Sequence, residues 1–202
     1  MPSMTTIALF LLAAYLMGGI PFGLLLTRWC KGIDIRAYGS GNIGATNVRR
    51  IAGNTLGGLT LAGDMAKGFL PVAAVPYLLP AGHPGMSAAL AAAALAAFCG
   101  HLFPIGLGFR GGKGVATAMG AYLAVSPLAI IGVLMAFGLG LGISRRVSMG
   151  SLAAASALPF CVAWTTHSPA PIIGALVIAT GIFARHRGNL ERVVAGEEPR
   201  LF

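Results

Sequence analysis

The chain has 202 residues, of which 56% are hydrophobic and only 9% are charged. Soluble proteins carry about 25% charged residues, so this composition, with a mean hydropathy of +0.83, argues against a soluble enzyme, a nucleic-acid-binding protein and a disulfide-rich scaffold. We expect instead a single all-α polytopic membrane domain over residues 1–202. The formal net charge of +9 is concentrated between apolar runs, which favours anionic lipid or an anionic substrate as the partner and not nucleic acid.

The first apolar run covers residues 4–27, and a transmembrane helix needs about 20 residues. No basic stretch precedes it and no cleavage motif follows it, so we interpret it as a retained span and not as a signal peptide. Residues 28–54 contain five basic residues and one acidic residue. The positive-inside rule therefore places this stretch in the cytoplasm and the N-terminus in the periplasm. A second apolar run at 55–79, an uncharged outside turn at 80–84 and a third run at 87–105 follow.

The apolar run at 115–143 allows two interpretations. As one tilted helix, it would place Arg145 and Arg146 outside the cell. As a hairpin broken at Ser126-Pro127, it returns both arginines to the cytoplasm, and proline disfavours helix at the residue before it. Because arginine favours the cytoplasmic side of a membrane, we predict the hairpin.

Two further apolar runs, 150–164 and 171–184, are short, and the basic tail that follows them lies inside. The sequence thus predicts seven transmembrane helices, some of them short, with a periplasmic N-terminus and a cytoplasmic C-terminus. Every basic residue except Lys67 then lies on the cytoplasmic side. If the short runs do not reach across, the alternative is five full crossings and a re-entrant hairpin.

The polar segment 39–47 reads Gly-Ser-Gly-Asn-Ile-Gly-Ala-Thr-Asn and is followed by Arg49 and Arg50. Glycine allows close approach of backbone amides to a ligand, and the Ser, Thr and Asn side chains add donors. With two arginines beside it, the segment has the physical character of a phosphate cradle, although it lacks the Gly-Lys-Ser/Thr ending of a Walker A loop. The alternative interpretation is an ordinary turn at the membrane surface.

A second polar segment joins His101 to a glycine-rich loop with Lys113 at the start of a helix, where an anion can bind. Alternatively, this is a capped loop and His101 is structural. In the third segment, Ser148 and Ser151 are three residues apart and share a helix face, beside arginines that could simply anchor the topology. In the fourth, His186 and Asn189 have the same spacing, within what could be a solvated basic tail.

Ionisable residues inside a span are costly, so we expect Asp64 and Lys67 to face the protein interior as a structural ion pair. The five acidic residues of the whole chain are too few and too scattered to build a magnesium or two-metal cluster. The carboxylate nearest to His186 in the sequence, Glu191, does not make a credible Ser-His-Asp set. We therefore expect metal-free chemistry or binding, with no cofactor, on an anionic ligand.

Five segments, in this order along the whole chain, resemble the signature regions of the bacterial acyl-phosphate:glycerol-3-phosphate acyltransferases, the PlsY family. They are residues 39–47, 64–68, 100–101 with 111–114, 147–151, and 186–189. The resemblance implies a multi-pass enzyme of the bacterial inner membrane, with seven helices and a site that faces the cytoplasm. It also implies transfer of an acyl group from long-chain acyl phosphate to the sn-1 hydroxyl of glycerol-3-phosphate, giving lysophosphatidic acid and phosphate, without a metal.

With this resemblance, we expect Ser40 and the amides around Gly41 to hold phosphate, together with Arg50 and Lys113. Ser151, in preference to Ser148, would join them, and Asn189 would position the glycerol hydroxyls. The candidate binding residues are Ser40, Gly41, Asn42, Thr46, Arg50, Lys113, Ser148, Ser151, His186 and Asn189, and the catalytic candidates among them are Ser40, Lys113, His186 and Asn189.

The expected reaction is direct attack of the glycerol hydroxyl on the mixed-anhydride carbonyl, with His186 or the substrate's own phosphate as base and without a serine intermediate. We expect the chain to act as a monomer within membrane lipid. The alternative function is a small anion channel or transporter of the inner membrane, which basic loops and broken helices would also suit.

Overall fold

Helices follow the apolar runs of the sequence in a computed structural model that describes residues 2–201 and contains no strand within that range. The α-helices of the described range are α1 (Met4–Gly18), α2 (Phe22–Lys31), α3 (Ala45–Ala52), α4 (Asn54–Ala73), α5 (Val75–Leu78), α6 (Met86–Leu102), α7 (Val115–Val125), α8 (Pro127–Ser144), α9 (Val147–Thr166), α10 (Pro169–Arg185) and α11 (Arg187–Val194). Short 3-10 helices at Ile35–Ala37 and Ile105–Leu107 shape two of the loops.

Within residues 2–201, three helical segments are long and apolar enough to cross a membrane: Met86–Leu107, Pro127–Ser144 and Val147–Thr166. Two bent pairs raise the number of candidate spans to five, because α1 and α2 meet at 42° and α10 and α11 at 52°. Helix α7 is apolar but shorter. The chain is therefore an all-helical protein with the composition of an integral membrane protein.

The run at 4–27, expected as one continuous helix, is divided into α1 and α2. The break includes Pro21, which has no N–H for a helical hydrogen bond. Before the break, α1 packs closely on α6: a Cβ added at Gly18 would lie 2.1 Å from the carbonyl oxygen of Ala97, and one at Gly100 would lie 2.0 Å from that of Tyr15. Small residues at these positions let the two backbones touch, as in other membrane helix pairs.

The predicted break at Ser126-Pro127 is confirmed. Helix α7 ends at Val125, and the Ser126 side chain accepts a hydrogen bond from the Ala129 amide at the start of α8. The expectation that 150–164 and 171–184 form short helices is wrong, because α9 has 20 residues and α10 has 17. Helix α10 begins earlier than expected because Pro169 occupies its first turn, where the missing N–H costs nothing.

Two apolar clusters position the loops at one end of the bundle. The larger joins α4 to α10 and includes Phe98, Tyr122 and Ile178, all buried. A smaller one lies beneath the loop between α2 and α3. Its buried members are Leu24, Ile35, Ile43, Val48 and Leu56. The loop before α3 therefore has an apolar support of its own, separate from the bundle core.

Candidate active site

Asn47 organises the first polar loop. Its Oδ1 accepts from the Ser40 amide at 3.1 Å, and its Nδ2 donates to the carbonyls of Tyr38 at 3.1 Å and Asn42 at 2.9 Å. Gly41 has a left-handed backbone with φ of 68°, which suits glycine. Asn47 is buried, so the amide side chain that holds the loop is covered while Ser40 stays exposed.

An open cleft of about 730 Å³ lies beside this loop. The residues that line it are Asp34, Arg36, Ala37, Ser40, Gly41, Asn42, Leu107, Arg110, Gly111 and Arg185. The cleft thus brings the first and second polar segments together with the end of α10. Of the sequence candidates in the first segment, Ser40, Gly41 and Asn42 line it, whereas Thr46 and Arg50 lie on the exposed surface of α3 and do not.

The glycine-rich loop before α7 is fixed from two sides. On one side, the Gly111 amide donates to the Leu102 carbonyl at 3.0 Å and the Gly112 amide to the His101 carbonyl at 3.1 Å. On the other, the Arg185 guanidinium donates to the Gly112 carbonyl at 3.0 Å and to the Gly111 carbonyl at 2.6 Å. This arginine was not among the sequence candidates, yet it holds the loop that carries Lys113.

Lys113 and Asn189 begin a chain of polar contacts that ends on the C-terminal tail. The Lys113 ammonium donates to Asn189 Oδ1, and Asn189 Nδ2 donates to Glu198 Oε1 at 2.6 Å. Arg192 Nε donates to the other Glu198 oxygen at 2.8 Å. Arg146 Nε donates to the Glu198 backbone carbonyl at 3.1 Å. The contacts bring together α11, the loop before α7, the turn before α9 and the tail.

These surroundings alter the pKa values of Lys113 and Glu198. Burial lowers the pKa of Lys113 to about 8; the Glu198 carboxylate opposes this change, while the cationic side chains of Arg192, Arg185 and Arg50 add to it. Burial by itself raises the pKa of Glu198, but the contacts with Asn189, Ser148 and Arg192 outweigh it, and the pKa lies below its usual value. Lys113 is thus a partly buried cation with several arginines nearby, an arrangement that favours an anionic ligand.

His186 is buried at the end of α10. Its Nδ1 lies 2.8 Å from the Ile182 carbonyl, which can only accept, so Nδ1 carries the proton and Nε2 is left with a free lone pair. Burial and the nearby Lys113 ammonium lower the pKa of His186 to about 4, and the hydrogen bond to Ile182 and the Glu198 carboxylate only partly oppose this change, so the ring is neutral at pH 7. A histidine in this state can accept a proton from a hydroxyl group.

The two serines of α9 differ in what their hydroxyl groups contact. Ser151 Oγ donates to the Val147 carbonyl at 3.0 Å within its own helix. Ser148 Oγ is buried and close enough to the Glu198 carboxylate to help lower its pKa, although it makes no hydrogen bond of regular geometry within residues 2–201. The preference of the sequence analysis for Ser151 over Ser148 as the phosphate ligand stays a prediction.

The structure therefore gathers Lys113, His186 and Asn189, as expected, and adds three residues that the sequence analysis did not select: Arg185, Arg192 and Glu198. Glu191, the carboxylate considered beside His186, instead forms an exposed pair with Arg187 at 3.1 Å. Residues four apart on a helix surface meet easily, and this pairing turns Glu191 towards solvent. No local spacing signal marks Glu198, because the tail reaches the site only through the fold.

The predicted ion pair of Asp64 and Lys67 is confirmed: Asp64 Oδ1 lies 2.8 Å from Lys67 Nζ. The pair lies inside the helical bundle, below the glycine-rich loop. Both side chains are buried. His101 Nδ1 lies 3.8 Å from the same carboxylate oxygen and 3.2 Å from Thr117 Oγ1. Among the described residues, no group of three His, Cys, Asp or Glu side chains could hold a metal ion.

Comparison with known proteins gives a consistent family. Residues 8–196 match the family described as Glycerol-3-phosphate acyltransferase. Proteins of that name from Syntrophotalea carbinolica, 47% identical over 98% of this chain and 99% of the relative, and from Geobacter sulfurreducens, 49% identical over 93% and 94%, are similar along their whole lengths.

Two crystal structures of PlsY (YgiH), an integral membrane glycerol 3-phosphate acyltransferase, have the same fold. The glycerol 3-phosphate form superimposes with a TM-score of 0.90 at 34% identity, covering 97% of this chain and 96% of that one. The lysophosphatidic acid form gives 0.84 at 36% identity, covering 96% and 95%. The resemblance that the polar segments suggested is therefore confirmed, and the chain belongs to the glycerol-3-phosphate acyltransferase family.

Proposed function

We propose that this chain transfers a fatty acyl group from acyl phosphate to the sn-1 hydroxyl of glycerol-3-phosphate, giving lysophosphatidic acid and phosphate, the first acylation of phospholipid synthesis. The structural relatives are a glycerol 3-phosphate form and a lysophosphatidic acid form, which correspond to the acceptor and the product of this reaction. The observation that carries the proposal is the partly buried Lys113 ammonium, which meets a neutral amide among several arginines beside an open cleft. Both substrates carry a phosphate group, which such a cationic neighbourhood favours.

The residues at the site divide the work of holding two phosphate-bearing substrates. Lys113 supplies a positive charge beside the cleft, and Arg50 is close enough for its charge to act on Lys113. Ser40, Gly41 and Asn42 offer a hydroxyl and exposed backbone in the cleft. Ser148, which lies near the Glu198 carboxylate, Ser151 and Thr46 complete the proposed set. Charge-assisted hydrogen bonds to phosphate are about twice as strong as neutral ones.

The acyl transfer requires the protein to position the two substrates and does not require a covalent acyl-enzyme intermediate. The sn-1 hydroxyl attacks the carbonyl carbon of the acyl phosphate, the bond between that carbon and the phosphate oxygen breaks, and phosphate leaves with its electron pair. Lys113 stabilises the negative charge of the departing phosphate. The hydroxyl proton passes to His186 Nε2 or to the phosphate of glycerol-3-phosphate. Asn189, fixed between Lys113 and Glu198, orients the glycerol hydroxyls.

The site also supports a membrane topology of seven crossings, with the N-terminus periplasmic and the C-terminus cytoplasmic. Loops that precede α3, α7, α9 and α11 all meet at one end of the bundle, where Arg146 reaches Glu198. At the opposite end, the Ser126 hydroxyl donates to Thr165 Oγ1 at 2.8 Å, which ties the turn between α7 and α8 to the end of α9. An α7–α8 hairpin that runs from one end to the other and back fits the positive-inside rule, with the site in the cytoplasm of the inner membrane.

We extend the proposal to the organisation of the enzyme. Residues 1–202 act as a single catalytic domain, in which contacts between residues more than 70 positions apart build the site, and the enzyme acts as a monomer. The acyl chain of the long-chain acyl phosphate lies between helices, within reach of membrane lipid. No nucleic acid, metal or cofactor takes part.

The test is phosphate release by the purified protein in lipid, with long-chain acyl phosphate in the presence and absence of glycerol-3-phosphate and with EDTA throughout. We expect release that requires both substrates and persists with EDTA. Asn189→Ala removes the amide between Lys113 and Glu198, and we expect it to lower kcat by on the order of 100-fold. Asn54→Ala is the matched control, because Asn54 is exposed at the start of α4.

Release without glycerol-3-phosphate would indicate a hydrolase and would revive the question of a serine nucleophile. No release from a folded protein would contradict the acyltransferase activity. An Asn189→Ala variant as active as Asn54→Ala would remove the fourth polar segment from the site while leaving the reaction in place.

A further inference from the structure

A buried polar network inside the bundle plays no part in the proposed chemistry. Asp64 and Lys67 lie within α4, and Lys67 Nζ also donates to the Ile20 carbonyl at 2.7 Å. Ile20 lies in the break between α1 and α2, where the regular helical hydrogen bonds are interrupted. The pair is therefore saturated: the carboxylate contacts the ammonium, and the ammonium also holds a carbonyl of the neighbouring segment.

His101 connects this pair to the surface loop. On one edge of the ring, Nδ1 lies 3.2 Å from Thr117 Oγ1 and 3.8 Å from Asp64 Oδ1. On the other edge, Nε2 lies directly beneath Gly112, since a Cβ added there would come within 2.1 Å of it. The imidazole ring thus fills the space between the ion pair and the backbone of the glycine-rich loop.

Hydrogen bonds on both sides of Gly112 hold the glycine-rich loop in place above the His101 ring. The Gly112 amide donates to the His101 carbonyl at 3.1 Å, and Arg185 holds the Gly112 carbonyl at 3.0 Å. The next residue is Lys113, whose ammonium meets Asn189. A shift of the ring would therefore be transmitted through one glycine to the lysine.

We propose that His101, oriented by Thr117 and the Asp64–Lys67 pair, is a positioning residue. Its ring sets the distance between the ion pair and the backbone of the glycine-rich loop, and this distance keeps the Lys113 ammonium beside Asn189. This inference rests on the proposed function, because it concerns the same site. His101 acts through Gly112 and does not contact substrate. The buried ion pair thus determines, through His101 and Gly112, where the Lys113 ammonium lies at the substrate site.

The pH above which the activity falls depends on how far Lys113 is shielded from water. Its pKa is lowered to about 8 by burial, against an ordinary value of 10.5. In the wild type, kcat/KM for glycerol-3-phosphate should therefore fall above about pH 8, as the free enzyme loses the ammonium charge. The charged or titratable side chains that act on Lys113 or lie beside it are Glu198, Arg192, Arg185, Arg50 and His186. If the loop loosens, Lys113 gains water and the fall moves towards 10.5.

The experiment measures kcat/KM for glycerol-3-phosphate from about pH 6 to about pH 10 with wild type, His101→Ala, Thr117→Val and Lys113→Arg. For His101→Ala, we expect a loss on the order of 100-fold at neutral pH, the size that a misplacement of about 1 Å can cause, and an alkaline fall shifted upward. Thr117→Val removes only the hydroxyl beside the ring, so the same shift should be smaller. Lys113→Arg should show no fall, because arginine keeps its charge.

His167→Asn serves as the matched histidine control. His167 lies in the turn between α9 and α10 and has a left-handed φ of 49°, which asparagine tolerates. The pH of the fall does not depend on how much of a sample is folded, and Thr117→Val decides the matter if His101→Ala does not fold. A fall that stays near pH 8 in the folded variants overturns the positioning role, whatever the loss of rate. A wild type without acyl transfer overturns the proposed function itself, and this inference with it.

Discussion

Two lysines of this protein lie in polar surroundings, Lys67 fully buried and Lys113 partly buried, but only Lys67 has a carboxylate as a direct partner. In the middle of α4, the Lys67 ammonium lies 2.8 Å from the Asp64 carboxylate and 2.7 Å from the Ile20 carbonyl. In the loop before α7, the Lys113 ammonium meets the neutral amide of Asn189. The nearby carboxylate, Glu198, already accepts hydrogen bonds from Asn189 and Arg192.

This difference separates a structural charge from a functional one. A buried ion pair that is complete holds segments together, and removing one partner leaves an uncompensated charge. A partly buried ammonium without a carboxylate of its own costs free energy in the empty enzyme, and an anionic ligand would offset that cost. We therefore expect Lys67 to contribute to folding and Lys113 to lower the stability of the empty protein.

The contrast between the two lysines is tested most directly by replacing each with methionine, and the larger effect is expected on the activity of the Lys113 variant. Lys113→Met removes the charge that stabilises the departing phosphate, and we expect kcat/KM to fall on the order of 1,000-fold. The activity of the folded enzyme in phosphate release is the measurement, scaled by the folded fraction from size-exclusion chromatography. A loss below about tenfold would mean that another cation, such as Arg50, carries the phosphate instead.

Lys67→Met tests the opposite half of the comparison. It leaves Asp64 buried without its partner, so we expect the free energy of unfolding to fall by about 3–5 kcal/mol, measured as a lower Tm in detergent. The double variant Asp64→Asn with Lys67→Met removes the unpaired charge and should recover most of that stability. If Lys67→Met is as stable as wild type, the pair does not hold α4 to the break between α1 and α2.

Much of this contrast is visible in the sequence, because it depends on local patterns. Proline after Ser126 predicted the break between α7 and α8, and the spacing of Asp64 and Lys67 predicted their pairing on one helix face. The bend at Pro21 was missed although the proline is visible, since hydropathy alone reads residues 4–27 as one span. The early start of α10 was missed because a proline in the first turn resembles a helix break.

The partners of Lys113 could not be found in this way. Its contact with Asn189 joins residues 76 positions apart, and Arg185 reaches the loop across 73. Glu198 lies in a tail whose composition suggests solvent exposure, and only the fold brings it beneath Asn189. Which carboxylate neutralises which cation is a tertiary property. Sequence patterns thus selected Lys113, His186 and Asn189, which the fold brings together, but not Arg185 and Glu198, which hold them in place.

The smallest effect is the most specific to the comparison, because Lys113→Met should stabilise the empty protein while Lys67→Met destabilises it. The pKa of Lys113 is about 8 in the folded state and 10.5 without burial. Below pH 8 the unfolded chain binds this proton more tightly, so Lys113 lowers the free energy of unfolding by at most about 3 kcal/mol. We expect Lys113→Met to be about 1–3 kcal/mol more stable at pH 7, since the orphaned Asn189 oxygen takes back part of the gain.

The pH dependence of this gain has a fixed sign. Between pH 8 and 10.5 the folded protein has already lost the proton that the unfolded chain still binds, so wild-type stability rises with pH relative to Lys113→Met. The difference in Tm between the two proteins, measured without substrate, should therefore shrink across this window. Saturating glycerol-3-phosphate at pH 7 should also shrink or reverse it, because the phosphate binds the wild-type ammonium and not the methionine. A Lys113→Met variant that is less stable than wild type at pH 7 would mean that Glu198 neutralises Lys113 as fully as Asp64 neutralises Lys67.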